Sequence, residues 1–87
     1  MSQVFEFEIV VGGIEVNTDE QLFDISDKLY EAGCSDATVL VENGTVIVCF
    51  DREADTLESA IESGKNDINK VEGIYAASAL DKSKSAD

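Results

Sequence analysis

Residues 4–11 alternate between two faces. Phe5, Phe7, Ile9 and Val11 fall on one side and Val4, Glu6, Glu8 and Val10 on the other, the period of two that predicts a strand with an apolar inner face. Gly12 and Gly13 break this pattern. Thr18 and Gln21 then have the spacing of a capping box, with Asp19 and Glu20 in the first turn where the helix dipole favours anions. Leu22, Ile25, Leu29 and Ala32 recur at steps of three or four, and Gly33 supplies a left-handed stop, so a helix is predicted over residues 19–32.

Two β-branched runs follow, residues 37–41 and 45–50, joined through Asn43 and Gly44, the pair best suited to a two-residue type I′ hairpin turn. That turn sets Glu42 against Thr45, Val41 against Val46, Val39 against Val48 and Ala37 against Phe50, leaving one face wholly apolar. The other face sets Leu40 against Ile47 and Thr38 against Cys49, unusually apolar for a surface turned to water. Asp55 and Glu58 read as a second capping pair, and Leu57, Ile61, Gly64, Ile68 and Val71 form a narrow helical stripe that Gly73 ends. Gly64 inside that stripe predicts close approach to a neighbour, or a kink. Residues 74–80 form a weaker strand with Ile74, Ala76, Ser78 and Leu80 on one face, and residues 81–87 read as a disordered tail.

The order strand, helix, strand, strand, helix, strand is the split βαβ (βαββαβ) pattern. With right-handed crossovers it predicts an α+β domain over residues 1–80, a ferredoxin-like four-stranded antiparallel sheet with two helices on one face and strand order fourth, first, third, second.

Charge then shapes the functional reading. Nineteen Asp and Glu stand against six Lys and Arg, a formal net charge of −13, and no histidine is present. Such a chain is a poor direct ligand for nucleic-acid phosphates, and its apolar runs are far shorter than the ~20 residues of a membrane helix. The first residues carry no signal or transit pattern, which predicts a cytoplasmic protein with Cys34 and Cys49 reduced. Without histidine, and with Arg52 the sole arginine, neither a general base nor an anion clamp is at hand; no enzyme, cofactor or metal is expected. Asp51, Glu53, Asp55 and Glu62 echo the spacing of an EF-hand loop, but Thr56 occupies the position that needs glycine.

Two surfaces remain as candidates. Asp24, Asp27 and Glu31 on the first helix, with Glu58 and Glu62 on the second, predict a negative helical face suited to a basic protein partner. Helix two is expected to open with Asp51, Glu53 and Asp55, extending that face. Val4, Val10, Leu40 and Ile47 point away from the helices and predict an apolar sheet face for a homodimer or a partner.

The run Leu29, Tyr30, Glu31, Ala32, Gly33, Cys34, Ser35, Asp36, Ala37, Thr38, Val39, then Phe50, Asp51, Arg52, Glu53, Ala54, then Ala60, Ile61 and Ser63, resembles a family of small, largely uncharacterised bacterial proteins. Longer members of that family continue into a C-terminal helix-turn-helix and are described as DNA-binding regulators. Residues 81–87 of this sequence contain no such segment, so the resemblance implies the α/β module alone, an oligomerisation or partner-binding unit. Within the matched blocks Cys34, Ala37 and Phe50 read as packing, and Arg52 as pairing with carboxylates at the start of helix two, the alternative being donation to a partner. The resulting expectation is a non-enzymatic acidic inhibitor of a basic or nucleic-acid-handling protein, of the antitoxin, immunity or phage anti-defence kind. The alternative is a dimerisation or accessory module of a bacterial helix-turn-helix transcriptional regulator.

Overall fold

The computed structural model describes residues 3–81. Its elements are β1 (Gln3–Gly12), α1 (Asp19–Ala32), β2 (Ala37–Glu42), β3 (Thr45–Ala54), α2 (Leu57–Asn69) and β4 (Tyr75–Asp81). The four strands form one antiparallel sheet in the order β2-β3-β1-β4, the ferredoxin-like arrangement. Both helices pack on one face of it. Phe7, Ile9 and Val11 of β1 and Val46, Val48 and Phe50 of β3 form a single core with Ile25 and Leu29 of α1 and Ala60 and Ile68 of α2. Among the described residues no helix is long and apolar enough to cross a membrane.

Local chemistry sets the ends of α1 and the hairpin turn where the sequence placed them. Thr18 accepts from the Gln21 amide while the Gln21 side chain accepts from Thr18, a complete capping box, and Gly33 closes the helix at φ 119°. Asn43 and Gly44 both have positive φ, 52° and 84°, so the hairpin closes through the type I′ turn and every predicted pairing from Ala37–Phe50 to Glu42–Thr45 is present.

Three expectations are corrected. The third strand does not stop at Phe50 but runs to Ala54, because residues 51–54 pair with residues 3–6 of β1; Asp51 and Glu53 are therefore strand residues, not the opening of helix two. Helix α2 is capped by Thr56, whose hydroxyl accepts from the Ser59 amide, rather than by Asp55, and it ends at Asn69, well before Gly73. Strand β4 starts at Tyr75, and a bulge opposite Val10 and Val11 changes its alternation: Ala76 and Ala79 pack on the core, while Ser78 and Leu80 lie opposite Val10 and Glu8 on the outer face. Of the expected tail, Asp81 belongs to β4 and residues 82–87 lie outside the described residues.

Gly64 carries out the close approach its position suggested. A Cβ there would lie 3.2–3.3 Å from Phe7, Ile9 and Phe50, so α2 rests directly on the sheet.

Candidate binding surfaces

Arg52 shares the inner side of β3 with Phe50, and its donors are turned to groups of this chain. Its Nε and Nη2 donate to the two oxygens of Asp36 at 2.9 Å each, Nη1 donates to Asp67 at 2.9 Å and Ser63 at 3.1 Å, and Nη2 also reaches the Gly33 carbonyl at 2.9 Å. All five donors are satisfied. The guanidinium also lies 4.8 Å over the Phe50 ring, which stacks on Phe7. Hydrogen bonding to Asp36 above all, then to Asp67, holds its pKa above the ordinary arginine value despite its burial. The predicted pairing with carboxylates at the start of helix two is thus replaced by a clamp joining the end of α1, the loop before β2, β3 and the second half of α2.

Cys34 sits buried beside this clamp. Burial pushes its thiol up to about 11, and the charge of Asp67 adds to the shift. Its burial among the core residues fits the packing role.

The predicted helical carboxylates Asp24, Asp27, Glu31, Glu58 and Glu62 are all exposed, on two helices that share one side of the sheet, but lysines divide them. Asp24 pairs with Lys28 at 3.1 Å; both are well exposed, so the pair adds little stability. Glu31 lines an open cleft with Lys28, Ala32, Lys70, Val71 and Glu72, whereas Glu58 and Glu62 line a separate recess with Ile61 and Lys65. Asp27 lies on the outer side of α1 between two exposed rings, Phe23 and Tyr30, at steps of four and three. These aromatics are 65% and 67% exposed and fall off the buried stripe of Leu22, Ile25, Leu29 and Ala32, a signal already present in the heptad spacing.

The outer sheet face gains what the helical face loses. Leu40, Ile47 and Val10 are direct neighbours across β2, β3 and β1, forming an apolar row, and Tyr75 and Leu80 of β4 add exposed apolar surface beside it. Val4 stands apart near the far end, opposite Glu53. Between them lie Glu6, Glu8 and Asp51, with Glu8 accepting a hydrogen bond from the Cys49 thiol at 3.5 Å. Glu6 and Asp51 are directly opposed and both exposed, a like-charge pair that costs stability. Glu42 marks the end of β2. Among the described residues this face carries no lysine or arginine.

No protein-family model matches the chain, and neither the curated proteins nor the solved structures include a match to it.

Proposed function

We propose that this chain is a non-enzymatic binding protein for a basic protein partner, engaged first through the outer face of its sheet. The observation that carries the reading is the opposed Glu6–Asp51 pair on the same face as the apolar row of Leu40, Ile47 and Val10, with the Glu8–Cys49 pair between them. A cross-strand repulsion toward one end of a face and aliphatic side chains at the other suit a partner that brings cations to the first and apolar groups to the second. The exposed α1 carboxylates Asp24, Asp27 and Glu31 supply a second attractive surface, and Glu58 and Glu62 a weaker one beside Lys65. Proteins that handle nucleic acid present such basic surfaces, which supports reading the chain as an inhibitor of the antitoxin, immunity or phage anti-defence kind.

A second reading follows from the same apolar row: stacking of two copies, as in the accessory module of a helix-turn-helix transcriptional regulator. The two readings have opposite salt signs. A complex with a basic partner weakens as salt rises, whereas a stacked homodimer brings Glu6 and Asp51 of both copies together and strengthens.

The test is affinity capture at low and high salt with the native chain, with Glu6→Lys plus Asp51→Lys, and with Asp24→Lys, Asp27→Lys and Glu31→Lys together. Capture of one basic protein that is lost with salt and with the sheet-face variant, followed by inhibition of that protein's own activity, supports the inhibitor reading. Retention indifferent to both variant sets refutes it, and light scattering that shows a dimer favoured by salt selects the second reading.

A further inference from the structure

We propose that the open edge of β2, with Phe23, Asp27 and Tyr30 of α1 above it, docks an extended arginine-bearing segment of a partner as a fifth strand. This rests on the reading that the partner is basic and specifies where a segment of it lies. The backbone supplies the first argument. In a two-residue hairpin the closing pair Glu42–Thr45 is hydrogen-bonded, and the bonding alternates from there, so Leu40 and Thr38 also bond to β3. The Asp51 amide donating to the Asp36 carbonyl at 3.0 Å continues that alternation. Ala37, Val39 and Val41 therefore turn their amides and carbonyls outward, and among the described residues no strand lies beyond β2.

Residues 16–19 lie beside Val41 at one end of β2, and the rest of the edge lacks sequence devices that block pairing. Residues 37–42 contain no lysine, no proline and no bulge, whereas the opposite edge, β4, is bulged where it meets β1. The side chains above the edge supply the second argument. Lys28 and Ala32 face the cleft toward α2, and Leu22 lies beside Val41 at the end of β2. By helical spacing Phe23 and Tyr30 fall on the flank of α1 opposite Lys28 and Ala32, away from α2, and the sheet order runs out to β2 on that side.

Charge selects the occupant. Asp27 stands between the two rings and Glu42 at the strand end, and no lysine or arginine shares this stripe of α1 or this strand. Arginines on the α1 side of an added strand stack on Phe23 and Tyr30 and pair with Asp27. Apolar residues on its other side extend the row of Val10, Ile47 and Leu40 by one strand. A second copy fits less well, since it brings a second chain of net charge −13 to the same edge.

The test uses the full chain, isotopically labelled, and a capped peptide of about eight alternating arginine and valine residues, the length of an ordinary strand. Amide shifts and new exchange protection at Ala37, Val39 and Val41, with perturbed Phe23 and Tyr30 ring signals, are expected. Binding should fall at least about tenfold for Phe23→Ser plus Tyr30→Ser, and likewise for Val39→Pro, which removes an outward amide along with a side chain packed against the core. The amide spectra of β1 and β3 report that each variant is folded. Equal binding of a glutamate–valine peptide, or no binding at millimolar concentration, overturns the proposal. Shifts confined to Val10 and Ile47 overturn it while leaving the basic-partner reading intact. A dimer that forms through β2 without peptide assigns the edge to a second copy and also overturns it.

Discussion

Replacing Arg52 by methionine keeps an apolar stem over Phe50 but removes the cation and all five donors. The side chains of Arg52 and Asp67 are only 11% and 16% exposed, so Asp67 loses its closest cation with little water to replace it, although Lys70 still reaches its other oxygen at 3.1 Å. Asp36 is 33% exposed and is partly rehydrated. Breaking a buried ion pair from one side costs about 3–5 kcal/mol, and the exposure of Asp36 points to the lower end, about 3 kcal/mol. For a small domain of about 5–15 kcal/mol total stability this is a large share, and with a urea slope of about 1 kcal/mol/M it moves the midpoint by about 3 M.

The pH dependence has a definite sign. The raised arginine pKa means that the native clamp is fully charged below the unfolded arginine value, so its contribution does not change through the neutral range. Urea unfolding followed by circular dichroism should therefore show a stability gap that is constant from about pH 6 to 9. Adding Asp36→Asn and Asp67→Asn to the variant should recover part of the loss. A gap below about 1 kcal/mol would refute the clamp.

Cys34 gives a prediction at the other end of the pH scale. Its folded value of about 11 lies above the 9.0 of a free thiol, so its contribution is intact below pH 9.0 and lost as pH rises toward 11. Relative to Cys34→Ala, the native chain should lose about 2–3 kcal/mol across that window, and a pH-independent difference would exclude a buried thiol. Asp51→Asn should stabilise the fold by about 0.2–1 kcal/mol by relieving its repulsion from Glu6. Glu6→Gln should do the same, the double variant should gain less than the sum, and additive or destabilising effects in urea titrations would remove the repulsion from the account.

Local and short-range physics was readable in the chain itself. Alternation in β1, the Thr18–Gln21 capping box, and the positive-φ turn at Asn43 and Gly44 each depend on residues within a few positions, and together they determined the element order, the hairpin register and the ferredoxin-like sheet. The exposure of Asp24, Asp27, Glu31, Glu58 and Glu62, and of Val4 and Leu40, followed from the same periodicities. Tertiary structure decided the rest, because the deciding partners are distant. Asp51 and Glu53 look like a helix start until pairing with β1 carries β3 through them, which turns Arg52 inward and two carboxylates onto the outer face. The alternation of Val46, Val48 and Phe50 continues to Arg52, but only partners fifteen and sixteen positions away make an inward arginine stable. The bulge in β4 likewise arises where that strand meets β1, and it moves Leu80 beside Glu8. A charge pattern along a sequence therefore sets how much negative potential the molecule carries, whereas strand register sets which side carries it.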